Sequence, residues 1–427
     1  MLDIKYIREN PEIARQRLAS RHQGHEIRID ELLFLDERRR KLLTEVEALK
    51  AEKNRVSKEV GKLKSQGQPV EHIFAQMKEH SDKISELDKQ VAIVEEDQRK
   101  LLLTVPNLPH PSVPDGRDAA DNPEVKVWGD KPAFDFTPKN HIDLCGQLGL
   151  VDFERAAKLA GSGFALYTGL GARLERALIN LMLDTHTGQH GYSEVLPPFI
   201  ANAESLTGTG QLPKFADQLF KIDGHDKYLI PTAEVPVANL HRDEILPESD
   251  LPRAYVAYTP CFRSEAGAAG VGTRGLLRMH QFDKVELVRI VKPEDGDTAH
   301  QEMLSHAEKI LQLLGLHYRI IVLCTGDMGF GMAKTYDIEI WAPGQNAYLE
   351  VSSVSNAEDY QARRMNLRFK RKDAKHTEFP HILNGSGVAL ARLYVAFIET
   401  YQQADGSILL PEILQPFMGG LKQIAAS

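Results

Sequence analysis

The sequence predicts an α+β protein, with an N-terminal antiparallel helical hairpin followed by a mixed body organised around a pair of antiparallel strands. Three observations carry that expectation. Apolar residues recur every three or four positions through most of residues 32–101. Prolines and a glycine interrupt the chain between residues 104 and 120. Further along, from His280 to Val291, the apolar period shortens to about two.

The helical arm comes first. Positions 32, 35, 39, 42, 46, 49, 53, 56, 60 and 63 step by three and four, and all except Arg39 and Lys53 are Leu or Val. After Ser65-Gln66-Gly67-Gln68-Pro69 the same spacing resumes at Val70 and runs through Ile73, Met77, His80, Ile84, Leu87, Val91, Val94 and Gln98 to Leu101. Two seams of equal length joined by a Gly/Pro turn predict helices of roughly 50 Å folded back on each other, at ~1.5 Å per residue. His80 and Gln98 read as polar residues that set the register. Near the turn, Lys53, Arg55, Lys58, Lys62 and Lys64 stand against the single acid Glu59. Such a cluster would attract a phosphate backbone, although a solvated coiled-coil face also needs charge.

Pro106, Pro109, Pro111, Pro114 and Gly116 end the arm. The expected organisation is an arm domain over residues 1–103, a linker over 104–120 and a body over 121–427. Composition suits a soluble multidomain protein, with 42% hydrophobic and 26% charged residues. The first ten residues, MLDIKYIREN, are charged throughout, and no stretch approaches the ~18 apolar residues of a membrane span. A cytoplasmic protein without membrane contact is expected. Cys145, Cys261 and Cys324 are too far apart in sequence for a Cys-built zinc site and read as reduced core residues. A net charge of −8 argues against nonspecific coating of nucleic acid but leaves room for a local basic patch.

Within the body, an amphipathic helix is expected over 172–188, leading into Gly191-Tyr192-Ser193-Glu194-Val195-Leu196-Pro197-Pro198. Two prolines at a strand end mark a sheet edge or a subunit boundary. Residues 255–262 and 280–291 read as an antiparallel strand pair, joined by a loop containing Gly267, Gly270, Gly272 and Gly275. Strand alternation puts Arg263 and Glu265 on one face, and Phe282, Lys284 and Glu286 on one face of the returning strand. An Arg grips phosphate, a Glu accepts from an exocyclic amine and a Phe stacks on a purine. Taken alone, the same residues describe a salt-bridged hairpin. Glycines 385 and 387 read as a helix start that brings Arg392 within reach of a phosphate. Glu350 and Ser353 offer oxygen ligands for magnesium.

In this order, the helix–strand–Pro198 unit, the Arg263-to-Phe282 hairpin and the Gly385-to-Arg392 segment resemble the three signature motifs of class II aminoacyl-tRNA synthetases. The phrases PTAE (231–234), FRSEAGAAG, TRGLLRMHQFDKVEL, DIEIWAPGQNAYLEVSSVSN, QARRMN, LNGSGVALAR and YQQADGS resemble bacterial-type seryl-tRNA synthetases over essentially the whole chain. That resemblance implies a catalytic body built on an antiparallel sheet flanked by helices. It implies that Arg263 holds the ATP α-phosphate and the serine carboxylate, that Glu265 touches adenine and Phe282 stacks on it, and that Arg392 takes the γ-phosphate. Ser264, Glu350, Val351, Ser352 and Ser353 complete the implied ATP contacts, with Glu350 and Ser353 linked to Mg2+. Thr232, Ala233, Glu234, Glu286 and Ser386, together with Arg263, are implied around L-serine. Arg263, Glu350 and Arg392 are the implied catalytic residues.

The implied partners are tRNA(Ser), gripped by the arm, with tRNA(Sec) as a further candidate, and a second copy of the chain in a homodimer. The sequence departs from the family pattern at Val271-Gly272, where a charged pair is common, and at Val354 and Ala357, where cysteines are common. The helical arm and the absence of the required cysteine ligand set the chain apart from the zinc-dependent variant. The implied reaction is ATP-dependent activation of serine followed by transfer to the tRNA 3′ end. Two other classes remain open at this stage: a ligase that loads a carrier protein, and a noncatalytic tRNA-binding paralogue.

Overall fold

The computed structural model describes residues 1–265 and 275–426. They divide into two compact units, one comprising residues 1–19 and 23–106 and the other 20–22 and 107 onward. In the first unit, α1 (Arg28–Ser65) and α2 (Glu71–Thr104) form the hairpin. None of the seam positions read from the sequence is exposed. The pairs Arg39–Glu95, Lys50–Asp88 and Glu45–Lys83 fix the helices as antiparallel. Being largely exposed, these pairs set register more than they stabilise.

The turn closes with a Schellman motif. Gln68 N–H donates to Leu63 O at 3.0 Å and Gly67 N–H to Lys64 O at 3.1 Å. Gly67 sits at φ +68°, a left-handed position that L side chains disfavour, and Pro69 then blocks further helix.

The second unit is built on an eight-stranded sheet of β1 (Glu124–Trp128), β2 (Ser193–Glu194), β3 (Arg253–Phe262), β4 (Gln281–Val291), β5 (Tyr318–Val322), β6 (Lys334–Ala342), β7 (Ala347–Asn356) and β8 (His381–Ala389). Its order is β1-β5-β6-β7-β8-β4-β3-β2. All neighbours are antiparallel except β2, which runs parallel to β3 at one edge. This edge strand is shorter than its sequence suggests. Two paired residues and the Val195 N–H bond to Val256 O are followed by Pro197 and Pro198, which have no N–H to extend the ladder.

Three helices, α3 (Gly169–Gly188), α4 (Gly296–Leu313) and α5 (Leu390–Tyr401), bury their apolar sides in one core with Val256, Val285, Leu287 and Val291. The opposite face of β3 and β4 contributes Ala257, Val288 and Ile290 to a second core with Ala233, Val237 and Phe369. Burial on both sides explains why the alternation along β4 is only approximate in sequence. Within the expected linker, residues 107–116 are hydrogen-bonded to the body. Asn107 N–H donates to Phe330 O at 2.9 Å, His110 N–H to Ala333 O at 2.7 Å, and Pro114 O accepts from Thr325 N–H at 2.9 Å, so this stretch lies along the body.

Candidate active site

β3 and β4 pair from Arg253↔Ile290 to Phe262↔Gln281, and the last rung is Arg263 N–H to His280 O at 2.9 Å. Arg263, Ser264 and Glu265 therefore lie beyond the strand, not on one of its faces. Ser264 N–H turns to Gln218 O, and Glu265 takes φ +47°. The structure replaces strand alternation here with a turn. The expected loop glycines Gly267, Gly270 and Gly272 lie outside the described residues. Gly275 sits at φ +67°, against His141.

Two β-bulges shape the site. On β7, Glu350 faces Glu339 but Ser352 already faces Ile338, which makes Val351 an extra residue. Regular alternation would put Glu350 and Ser353 on opposite faces, and the bulge brings them to the same one. Ser353 Oγ donates to Glu350 Oε1 at 3.3 Å. On β8, Ser386 faces Glu286 and Val388 faces Val285, so Gly387 is the extra residue. A Cβ there would sit 3.0 Å from His186 Nε2 and 3.2 Å from Val285 Cγ1. The glycine cluster thus belongs to a strand interior, where the expected helix start was one strand-end too early. The helix begins at Leu390 and places Arg392 in its first turn. Arg392 Nη1 donates to Glu350 O at 2.8 Å and lies 3.6 Å from Glu350 Oε2.

These elements enclose a cavity of about 500 Å³. Arg263, Glu265, Phe282, Glu350, Val351, Ser353 and Arg392 line it, as do Thr232, Glu234, Glu286 and Ser386. The Arg263 guanidinium stands 5.1 Å from the centroid of the Phe282 ring, and Arg278 reaches Glu265 at 3.5 Å. Three of the residues singled out by resemblance do not line the cavity. The Ser264 hydroxyl donates to Asp217 O at 2.7 Å, the Ser352 hydroxyl donates to Ser386 O at 2.6 Å, and Ala233 is core.

Much of the wall is buried and charged. Glu234 Oε1 accepts from Gln361 Nε2 at 2.6 Å and from Asn384 Nδ2 at 3.0 Å. Burial and then the nearby Glu286 push its carboxyl up to about 7, against the pull of Gln361, Lys284 and Arg263. Lys284 Nζ donates to Thr232 Oγ1 at 2.9 Å and pairs with Glu286 Oε2. Behind Glu350 and Ser353 lies Asp337, opposite Ser353 in the ladder and only 7% exposed. Burial, then Glu350, push its carboxyl well above the ordinary range, and its Oδ1 has no hydrogen-bond partner.

An oxygen-only set of a carboxylate and a hydroxyl, with an unpartnered carboxyl oxygen behind it, fits a hard cation such as magnesium. Among the described residues, no three His, Cys, Asp or Glu side chains cluster as a metal cage. A magnesium ion here would take its remaining ligands from phosphates and water.

Residues 1–109 match the seryl-tRNA synthetase N-terminal domain, and residues 219–401 match the class II tRNA synthetase core domain (G, H, P, S and T). The serine–tRNA ligase of Geobacter sulfurreducens is 55% identical over 99% of this chain and 100% of its own length. The chain belongs to the seryl-tRNA synthetase family. Among seryl-tRNA synthetases of solved structure, the Pyrococcus horikoshii protein complexed with ATP is 38% identical with a TM-score of 0.94, over the whole of both chains. The cytoplasmic Naegleria fowleri protein in complex with AMP is 31% identical with a TM-score of 0.88, covering 100% of this chain and 99% of its own.

In this chain of the seryl-tRNA synthetase family, most of the candidate residues read from the sequence line one cavity, but the sequence pattern passes over Asp337, Gln361 and Asn384. Asn384 was within reach, since it precedes Ser386 by two on one strand. Gln361 and Asp337 were not, because only the fold sets them behind Glu234 and Glu350.

Proposed function

We propose that this protein is a serine–tRNA ligase that activates L-serine with ATP and transfers it to the 3′-terminal adenosine of tRNA(Ser). One observation carries the reading: in a chain of this family, a single cavity gathers a cation pair, an aromatic platform, a magnesium-type oxygen pair and a buried polar pocket. In the first step a serine carboxylate oxygen attacks the α-phosphorus, the bond to the bridging oxygen breaks, and pyrophosphate leaves with its electron pair. In the second, a terminal ribose hydroxyl attacks the seryl carbonyl, AMP departs, and the hydroxyl proton passes to solvent or phosphate.

Positioning and charge neutralisation supply the catalysis, and no side-chain nucleophile is needed. Arg263 orients the serine carboxylate against the α-phosphate, Phe282 stacks on adenine beside Glu265, and Arg392 holds the γ-phosphate. Glu350 and Ser353 would hold Mg2+, which supplies neutralisation of phosphate charge. Glu234 and Glu286 receive the ammonium beside Thr232, and Glu286 with Ser386 receives the hydroxyl. Alanine would leave these polar groups unpaired, and a site of this kind rejects a missing-hydroxyl analogue by as much as ~10⁴-fold.

The arm of residues 1–103 serves as the tRNA-binding domain, with Lys53, Arg55, Lys58, Lys62 and Lys64 toward the phosphate backbone. The proline-terminated β2 edge supports a homodimer boundary, and three buried, unbridged cysteines support a reducing cytoplasmic setting. No described helix is long and apolar enough to cross a membrane. The test is charging of purified tRNA(Ser) with labelled serine, with tRNA(Sec) as a second substrate. Serylation of tRNA(Ser) is expected. Efficient loading of a carrier protein instead, or the absence of any charging, would overturn the reading.

A further inference from the structure

We propose that Lys284 is the positioning residue of the amino-acid pocket, clamping Thr232 to Glu286 so that one carboxylate oxygen is left preset for the incoming amino acid; this rests on the serine reading above. Lys284 and Glu286 lie two apart on β4, and Thr232 reaches them from the segment that packs on that strand face. All three side chains are buried. Lys284 Nζ donates to Thr232 Oγ1 at 2.9 Å and pairs with Glu286 Oε2, while Thr232 Oγ1 and Glu286 Oε2 are 3.3 Å apart. The triangle is closed.

Hydrogen-bond accounting gives it a direction. Thr232 Oγ1 already accepts from Lys284 and from Glu234 N–H at 3.2 Å, so its own hydrogen goes to Glu286 Oε2. That oxygen receives two donors. Glu286 Oε1 receives none among the described residues, and it belongs to a side chain that lines the cavity. A ligand ammonium or hydroxyl therefore meets an acceptor of fixed position.

Charge points the same way. Lys284 and Arg263 balance Glu286 and an ionised Glu234, so above the Glu234 midpoint of about 7 the pocket is formally neutral and suits a zwitterion whose carboxylate goes to Arg263. The groups facing Lys284 are Thr232 and Glu234 from the packed segment, Glu286 from its own strand, and Arg263 and Cys261 from the β3 end. Without the lysine, Glu286 Oε2 would lose its charged donor, and the Glu234 carboxyl, which Lys284 draws down, would hold its proton more tightly. A purely structural ion pair would make no such distinction between the serine and ATP parts of the cavity.

The test compares full-length wild type with Lys284→Met and Lys284→Arg in serine-dependent ATP–pyrophosphate exchange from pH 6 to 9, with folding checked by thermal melts. Lys284→Met should raise KM for serine by at least ~30-fold, the low end for truncating one partner of a buried charge pair. KM for ATP should stay within about 2-fold. The pH midpoint for serine KM should move up, because Lys284 no longer draws the Glu234 carboxyl down. Lys284→Arg should recover part of the loss, and it carries the test if the methionine variant does not fold. An unchanged serine KM and pH midpoint, or equal losses for serine and ATP, would overturn the assignment while leaving the proposed function standing. Absence of serine-dependent exchange in wild type would overturn both.

Discussion

Glu350 and Ser353 share one face of a strand only because Val351 is an extra residue in the ladder, and Ser353 Oγ donates to Glu350 Oε1 at 3.3 Å as a result. Asp337 lies opposite Ser353 with an unpartnered oxygen, so three oxygen-bearing groups meet where no regular strand would gather them.

The first prediction concerns that pair. Glu350→Gln and Ser353→Ala should each raise the Mg2+ concentration needed for half-maximal pyrophosphate exchange by ~10–100-fold, the usual cost of disturbing groups around a metal. Magnesium titrations at saturating serine check this, and an unchanged midpoint would remove the metal role from both residues.

Gly387 is the matching device on β8. Replacing it with Ala restricts the unfolded chain, a gain of ~0.4–1 kcal/mol. The added methyl would stand 3.0 Å from His186 Nε2 and 3.3 Å from Val285 O. Overpacking of that kind costs ~1–3 kcal/mol, so the net effect is destabilising. A lower melting temperature should accompany weaker serine binding, because Ser386 is the adjacent residue.

Glu234 gives the body a pH signature. Its folded-state carboxyl, at about 7, lies above its ordinary value near 4.5. The stability gained by keeping it protonated is therefore fully present below about 4.5 and is lost as pH rises through 7, up to ~3 kcal/mol. Relative to Glu234→Gln, which keeps an acceptor for Gln361 and Asn384, the wild-type melting temperature should fall between pH 5 and 8. Parallel melting curves for the two proteins would contradict the assigned shift.

The arm prediction separates tRNA binding from chemistry. Lys58→Ala with Lys62→Ala should weaken tRNA charging and lower the slope of log affinity against log salt by about one per lost phosphate contact. Pyrophosphate exchange should be unchanged. Deleting residues 27–103 is the stronger version, expected to abolish charging while adenylate formation persists.

The hairpin arm was legible almost residue by residue, because a heptad seam is a local signal and the Gly67 turn is punctuated by a proline. The β3–β4 pair was legible for the same reason. What sequence periodicity misplaced were the positions that break periodicity: the two bulges, and the turn after Phe262 that carries Arg263 and Glu265 off the strand. A bulge shifts every later side chain to the other face without changing composition. Spacing from Ser386 could place Asn384 near the site, but its pairing with Glu234, and that of Gln361, was not legible because these residues come from distant elements that only the folded sheet brings together.

Glu286 supplies the specificity prediction. Glu286→Ala should erode the preference for serine over alanine more than it weakens ATP binding, because in the proposed pocket the carboxylate meets the amino acid and not the nucleotide. A selectivity ratio unchanged from wild type would contradict the pocket assignment.

The most direct measurement is amino-acid-dependent ATP–pyrophosphate exchange with serine, alanine, threonine, glycine and cysteine, each with and without magnesium. Strong exchange with serine alone, dependent on magnesium, is the predicted result. Preference for another amino acid, or no exchange with any of them, would contradict the central claim.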